Sequence, residues 1–246
     1  MLDINKEDFI EDISRDNLRL PYQAIEKLTS LMKLVFDNYP KESIDNAADI
    51  SRLHLLSRLY NDLKSIYLLS LKGYSVQAAT IACAFYEAAL TVICIDNEEE
   101  KGRKWLKHKD TVHGYSKTSV LNREVVKKLN WSSDTWDNLK KVYTYLSMAK
   151  HSNPLILTVH SFVEVNDDKG SYKDFNYGPE VSEASFRLSW YSILMSMQLG
   201  NAALGTYVNN LAELIDDHLF IEMQELHSEF LDLLDENIRV SAKKYG

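Results

Sequence analysis

Apolar residues recur at spacings of three and four along most of the chain, a pattern that predicts amphipathic helices. The first such stripe lies in segment 24–38 and ends before Pro40, which cannot continue a helix. A longer stripe fills 43–72 and stops at Gly73, where a left-handed residue that ends a helix fits. Because another apolar segment, 74–95, follows immediately, the two segments are predicted to form a helix hairpin.

The second half of the chain predicts three further helices. Segment 135–151 carries an apolar stripe and has Ser133 as its candidate N-cap. Segment 179–215 is almost free of charge, so we expect it in the centre of the core. Segment 217–245 has an apolar seam that packs either inside the fold, which we favour, or against a second copy of the chain. The seam residues are Leu219, Met223, Leu226, Phe230, Leu233 and Val240.

The period of the apolar residues changes from helical to alternating in segment 155–165. The polar segment 166–170 ends in glycine, as many turns do, and 171–177 fits a returning strand. The sequence therefore predicts a β-hairpin insert near 155–178 in an otherwise all-α helical bundle. No long linker divides residues 1–246, so a single domain is expected.

Composition agrees with a folded helical domain. The chain has 246 residues, of which 45% are hydrophobic, and it contains only four prolines and eight glycines. So few helix breakers favour long helices over a many-stranded β fold. Its acidic N-terminus lacks the basic start and apolar run of a secretory signal, so we expect a soluble protein of the cytoplasm. Cys83 and Cys94 lie three helical turns apart, which predicts free, buried thiols.

Segment 74–95 is apolar over about 22 residues, so a membrane span has to be weighed against a core helix. Gln77 and Glu87 lie inside the segment, and both side chains are costly in lipid. The segment also lacks the flanking aromatic and basic belts that are typical of membrane helices. A helix buried in a soluble core is the favoured interpretation, and no membrane association is expected.

Charge is unevenly distributed along the chain, whose net charge is −8. Segment 101–151 has 12 Lys and Arg residues against four acidic residues, whereas the remainder of the chain has 16 against 32. The polar segment 97–130, which contains most of this basic stretch, is predicted to form short helices broken at Gly102 and Gly114.

The basic stretch has two interpretations. Lysines interleaved with aromatic rings suit an RNA strand, because amines neutralise phosphates and rings stack on bases. The alternative, which we favour, is a solvated helical surface whose charges offset the acidic remainder of the fold or of a partner. The candidate contacts for RNA or a partner protein are Lys101, Arg103, Lys104, Lys107, Lys109, Lys127 and Lys128.

Three ionisable residues, Glu87, His151 and Arg187, lie where the helix faces are otherwise apolar. A buried Glu87 is costly unless another group pairs with it. The side chains that could pair with it are His151, Arg187, Tyr60 and Tyr86. His151 also ends a helical face that carries three further polar side chains, namely Tyr143, Ser147 and Lys150.

Three interpretations of these residues are open, and the favoured one is a buried polar network that fixes the register of the helices. In the second, His151 is a general acid–base, and Ser147 assists through a hydrogen bond. Lys150 or Arg187 then stabilises a phosphate oxyanion. In the third, Glu87 and His151 line a ligand pocket without chemistry. The sequence has no P-loop, GxSxG, HExxH or EF-hand motif, and we expect neither a metal nor a cofactor.

Two stretches of the chain resemble an uncharacterised bacterial helical family. They are SRLYNDLKSIYLLSLKGYSVQAATIACAFYEAAL and, later, YTYLSMAKHSNP. The family pattern has a helix hairpin with a glycine turn, in which an arginine and a glutamate lie a few residues apart, and a later helix that ends in Leu-Ser and histidine. That family is similar in turn to the HEPN superfamily of helical bundles. The resemblance covers residues 50–215, approximately.

The resemblance implies a bacterial defence or toxin–antitoxin system, in which many such proteins are metal-independent RNases. Glu87, Ser147 and His151 match the glutamate, serine and histidine of the family. The chain departs from the pattern at Cys83, which stands where the family has its arginine, and segment 142–150 contains no arginine. The leading hypothesis is a HEPN-like module that binds RNA or a partner protein, with compromised RNase activity. The alternative is a non-catalytic interaction or scaffold protein.

Overall fold

The computed structural model describes residues 4–38, 46–108, 116–154, 156, 162–167, 170–175, 178–211 and 217–245. They form a helical bundle with a small β-hairpin, as predicted. The elements are, in chain order, α1 (Ile4–Asn17), α2 (Arg19–Asp37), α3 (Ala47–Leu71), α4 (Ser75–Ile95), α5 (Glu99–Leu106), α6 (Thr118–Leu129), α7 (Ser133–Lys150), β1 (Phe162–Asp167), β2 (Gly170–Phe175), α8 (Glu183–Leu211) and α9 (Asp217–Tyr245).

Helix α4 is the central element, and it packs extensively against both α3 and α8, and also against α7 and α6. Most of its side chains are buried, and many of them are alanine or cysteine, which let neighbouring helices approach closely. Among the described helices, α4 alone is long and apolar enough to cross a membrane, and 78% of its most apolar 18-residue window is buried inside the fold. This burial agrees with the core helix that segment 74–95 predicts.

The β-hairpin lies between α7 and α8. Strand β1 pairs antiparallel with β2, from Phe162 opposite Phe175 to Asp167 opposite Gly170. The hairpin prediction is confirmed, although the pairing extends further toward the turn than 166–170 allowed. Within the part of the predicted insert that precedes β1, Ile156 is helical, and 155 and 157–161 lie outside the described residues.

Several helix ends differ from the sequence-based expectations. The N-cap of α7 is Ser132, whose side chain accepts a hydrogen bond from the amide of Thr135, so the expectation for Ser133 was one residue late. Helix α8 begins at Glu183 rather than at Pro179. The polar N-terminal segment, for which no helix was expected, forms α1, and only a few of its side chains, Ile10 among them, are buried.

Helix α5 docks against the start of α3 at a place where only glycine fits. A Cβ added to Gly102 would lie 2.4 Å from the carbonyl oxygen of Ala47, a backbone atom that cannot rotate away. Beside it, the carboxylate of Glu99 accepts hydrogen bonds from the amides of Ala47 (2.6 Å) and Ala48 (3.3 Å), which lie in the first turn of α3. The hydrogen bond from Arg103, and those from the two amides, hold the pKa of Glu99 below its ordinary value. The prediction that Gly102 breaks a helix was therefore wrong, because Gly102 lies inside α5 and allows it to contact α3.

Helix α9 packs mainly against α2 and less against α8. The predicted seam does pack internally, but it is wrong at Val240, which is 36% exposed. A strict seven-residue repeat drifts around a straight α-helix, so the buried side shifts to other residues in the last turns. Asn237, for example, donates a hydrogen bond to the carbonyl oxygen of Leu20 in α2 at 3.3 Å. The buried residues of α9 are Met223, Phe230, Leu234, Asn237, Ser241 and Tyr245.

Two glycines in α8 have opposite surroundings. A Cβ on Gly200 would lie 3.1 Å from Phe85 and 3.3 Å from Leu28, so α8 crosses α4 and α2 closely there. A Cβ on Gly205 would meet nothing within 4 Å. A close crossing thus explains the glycine at position 200 but not the one at position 205.

This contrast predicts opposite responses to the same substitution. Gly205→Ala should raise the free energy of unfolding by about 0.5–1 kcal/mol, because alanine lowers the entropic cost of the helix and fits the open space. Gly200→Ala gains the same helix propensity but must displace Leu28 and Phe85, so it should stabilise less or destabilise. Urea denaturation of both variants measures the difference, and equal stabilisation would contradict the close crossing at Gly200.

A third glycine variant tests the contact between α5 and α3. Gly102→Ala should lower the free energy of unfolding by about 1–3 kcal/mol, because the new methyl group overlaps the backbone of Ala47. Gly205→Ala is the control for the chemical change itself. If Gly102→Ala is as stable as the unmodified protein, α5 does not lie against α3 as described.

Candidate functional site

Glu87 lies at the contact between α4 and α7, where it pairs with two residues of α7. One of its carboxylate oxygens, Oε1, accepts hydrogen bonds from the hydroxyl of Tyr143 (2.9 Å) and from Nζ of Lys150 (2.9 Å). The side chain of Glu87 is 37% exposed and that of Lys150 is 31% exposed. The prediction that Glu87 is buried was therefore wrong, since the carboxylate reaches the surface of the bundle and stays accessible.

Aromatic rings support this pair from the inside. The ring of Tyr86 stacks on that of Tyr143 with centroids 4.2 Å apart, and its hydroxyl donates a hydrogen bond to Asn122 of α6 at 2.8 Å. Burial, and next the negative charge of Glu87, raise the pKa of Tyr143, while a hydrogen bond with Thr118 of α6 opposes the shift. The phenol of Tyr143 therefore stays protonated and remains a donor to Glu87 over the physiological pH range.

Cys83 lies one helical turn before Glu87, where the resemblance requires an arginine. Its side chain is fully buried, and burial raises the pKa of the thiol to about 12. A neutral thiol of this kind is a poor nucleophile and carries no charge toward a phosphate. The cation beside Glu87 is Lys150, which comes from α7 instead of α4.

His151 and Ser147 lie beside the pair without joining it. His151 is the C-cap of α7 and is exposed, and its backbone amide donates a hydrogen bond to the carbonyl oxygen of Ser147 at 3.0 Å. The hydroxyl of Ser147 donates to the carbonyl oxygen of Thr144 at 2.7 Å. The structure thus places four of the predicted site residues, Glu87, Ser147, Lys150 and His151, in one surface region.

Arg187 does not join this region. Its guanidinium pairs with Glu183 one turn earlier in α8, at 3.0 Å, and lies over the ring of Tyr245 at 5.8 Å. Tyr60 does not pair with Glu87 either, since its ring packs edge-on against Phe36. The expectation that Arg187 or Tyr60 could satisfy Glu87 was therefore wrong.

Among the described residues, Arg52 is a deeply buried charge that the sequence did not single out. Its side chain in α3 is 1% exposed, and it pairs with Asp49 and, at 3.8 Å, with Asp96 at the end of α4. Its guanidinium also lies over the ring of Tyr207 in α8, 4.9 Å from the centroid. Two carboxylates and a ring thus balance this cation, and its role is to join three helices.

Two of the predicted surface lysines are used inside the fold. The amines of Lys101 and Lys128 both donate to the carbonyl oxygen of Cys94, at 3.2 Å each. Both amines also pair with Glu98, at 2.8 Å and 3.1 Å. Carbonyls in the last turn of a helix lack helical partners and carry partial negative charge, so these lysines cap the C-terminus of α4.

The other candidates for the basic surface are divided. Arg103 pairs with Glu99 at 2.8 Å, and Lys104 also has an interaction partner. Lys107 and Lys127 are exposed, and Lys109 lies outside the described residues. Glu98 and Glu99, which lie just before Lys101, form ion pairs with residues of the basic stretch. A segment that begins at Lys101 leaves these acidic residues out, so its excess of positive charge is overestimated.

A smaller basic surface remains on α6 and its N-cap. Lys117, Arg123 and Lys127 are exposed, and among the described residues no carboxylate forms an ion pair with them. Arg123 and Lys127 belong to the helix whose Asn122 accepts the hydrogen bond from Tyr86, and they lie on its solvent side. Sequence reasoning missed Lys117 and Arg123, although the spacing of four between Arg123 and Lys127 would have placed both on one helical face.

The described residues also contain a groove of about 440 Å³ between α7, α8 and α9. Its walls include Leu139, Val142, Leu194 and Ile238, but neither Glu87 nor His151. The pocket expected around those two residues is therefore not this groove. The described residues contain no group of three or more His, Cys, Asp or Glu side chains that could hold a metal ion.

Comparison with known proteins returned no match, since no protein-family model, no curated protein and no solved structure is similar to this chain. The likeness to the HEPN-related family therefore stays a prediction based on two sequence stretches. The site is defined by its geometry alone, as an accessible pair of Glu87 and Lys150 that is held by Tyr143 and flanked by His151.

Proposed function

We propose that this protein is a HEPN-like RNA-binding module of a bacterial defence or toxin-type system, with metal-independent RNase activity at the Glu87–Lys150 pair. The observation that carries the proposal is the accessibility of that pair beside His151. A polar network with a purely structural role needs no partly exposed lysine next to an exposed histidine. The free, buried thiols of Cys83 and Cys94 agree with a reducing compartment, and we propose the cytoplasm as its location.

The chemistry follows from the positions of these groups. The neutral imidazole of His151 takes the proton of a ribose 2′-hydroxyl, and the 2′-oxygen attacks the adjacent phosphorus. The bond from phosphorus to the 5′-oxygen breaks, and the 5′-oxygen takes a proton from water. Lys150 donates to a non-bridging phosphate oxygen and stabilises its growing negative charge. Glu87 positions Lys150, and Tyr143 positions Glu87.

The basic surface of α6 supports RNA binding at this site. Lys117, Arg123 and Lys127 lie on the helix that also contacts Tyr86 and Tyr143. Exposed cations that form no ion pair with a carboxylate in the described part of the chain are free to bind phosphates. Lys101, Lys128 and Arg103 contribute less, because their charges are already paired.

Cleavage of RNA by the purified protein in EDTA tests the catalytic proposal. The unmodified protein should cleave single-stranded RNA, and His151→Ala should lower the rate about 100-fold or more, because the general base is lost. Lys150→Ala should cause a comparable loss. His218→Ala, which removes an exposed histidine in the first turn of α9, should leave the rate unchanged.

The control separates catalysis from contamination. Activity that survives in both His151→Ala and Lys150→Ala would contradict the assignment, as would a lack of cleavage by the unmodified protein over a broad set of RNA sequences.

Binding of RNA is tested separately from cleavage. The double variant Arg123→Glu, Lys127→Glu should weaken binding of a single-stranded RNA at low salt about tenfold or more and flatten its salt dependence, because phosphate contacts release counterions. Arg19→Glu, Lys64→Glu makes the same charge change on exposed residues of α2 and α3 and should have little effect. Equal weakening by both double variants would reduce the effect to net charge and contradict a surface on α6.

The second candidate function is a non-catalytic interaction module. It is favoured by one observation, namely that Lys101 and Lys128 serve as helix caps instead of forming an open basic face. In that case RNA is neither cleaved nor bound with salt sensitivity, and the Glu87–Lys150 pair only ties α7 to α4.

A further inference from the structure

The apolar side of helix α9 is only partly covered by the neighbouring helices. Its buried residues face α2 and α8, but Phe220, Leu231 and Ile238 stay 36%, 40% and 38% exposed. These three residues are separated by 11 and seven positions, about three and two helical turns, so they lie on one line along the helix. Apolar side chains aligned in this way form a strip that can bind another helix.

Hollows border this strip at both ends. Ile238 and Ala242 line the groove of about 440 Å³ beside α7 and α8. Phe220 and Gln224 line a smaller hollow of about 190 Å³ at the other end, between α9 and α8. The strip therefore runs from one hollow to the other, and α9 presents the same side to both.

The charges of α9 are divided between its two ends. From Asp217 to Ile238 the helix has seven acidic residues and no lysine or arginine, whereas its last turns carry Arg239, Lys243 and Lys244. Two such helices side by side attract each other when they run antiparallel and repel each other when they run parallel. The acidic residues are Asp217, Glu222, Glu225, Glu229, Asp232, Asp235 and Glu236.

We propose that α9 is the interface of a homodimer, in which it packs antiparallel against α9 of a second copy about a two-fold axis at Leu231. Leu231 lies 14 residues from either end of α9, so an axis there lets the helices overlap along their full length. Each Leu231 then packs against its copy, and Phe220 of one chain lies opposite Ala242 of the other, at the larger groove.

The same arrangement pairs the charges. With Leu231 on the axis, Arg239 of one chain lies near Glu225 of the other, and Lys243 lies near Asp217. A second copy of the chain is the occupant that the strip itself specifies, because the strip and the charge pattern complement themselves when the helix is reversed. The interface does not involve Glu87, Lys150 or His151, so it holds whether or not the protein acts on RNA.

Disulfide crosslinking tests the position of the axis. Leu231→Cys should form a disulfide-linked dimer under mild oxidation, because a residue on a two-fold axis lies close to its own copy. The control is Val240→Cys, an exposed residue of the same helix that points away from the strip, and it should stay uncrosslinked. The native thiols do not interfere, because Cys83 and Cys94 are both buried. Equal crosslinking of the two variants, or none of Leu231→Cys, would overturn the axis.

Sedimentation of the unmodified protein tests the dimer itself. Leu231→Glu should weaken association at least about tenfold relative to Val240→Glu, because it places two like charges on the axis. Added salt should weaken association, since the antiparallel charges attract each other; strengthening by salt would show a parallel arrangement and overturn the proposal. A monomer at protein concentrations of about 100 µM would overturn it as well.

Discussion

The close packing of neighbouring helices against α4 determines how the bundle is arranged and where the charge of Glu87 lies. Its alanines and cysteines occupy little volume, so α3 and α8 both pack against it over much of its length. Gly200 of α8 lies so close to Phe85 that even a methyl group would be tight. Several helices cover α4. Glu87, the one charged residue within α4, therefore reaches solvent at the margin of the contact with α7.

That constraint explains why the site is a surface feature with a rigid base. The stacked rings of Tyr86 and Tyr143 fill the space beneath Glu87, and Asn122 ties them to α6. Arg52 is the opposite case, a buried cation whose charge is balanced within the protein by Asp49 and Asp96. The two ion pairs differ in burial, since Arg52 is 1% exposed whereas Glu87 and Lys150 are 37% and 31% exposed.

The sequence predicts those parts of the fold whose information is local. The helix hairpin around Gly73 and the bounds of α9 follow from apolar periodicity and match the structure closely. The need for glycine at position 102 could not be predicted in this way, because it arises from contact with the backbone of Ala47, more than fifty residues away in the chain. Contacts between distant segments leave no periodic pattern in either segment.

The candidate site divides in the same way. The common face of Tyr143, Ser147, Lys150 and His151 could be derived from helical spacing, since all four belong to one helix or its cap. That Lys150 rather than Arg187 pairs with Glu87 could not, because the choice depends on how α7 and α8 lie against α4. Pairing of Lys101 and Lys128 with the same carbonyl was equally hidden, since 27 positions separate them in the chain.

The shared carbonyl of Cys94 has a consequence for the stability of α5 and α6. Helices α5 and α6 have eight and 12 residues, which is too short for either to be stable alone in water. Each directs one lysine to the end of α4, and α5 also docks on the start of α3, so both are held by contacts outside themselves. The end of α4 is thus a shared anchor for two helices that could not keep their structure alone, and a change at that end would loosen both of them together.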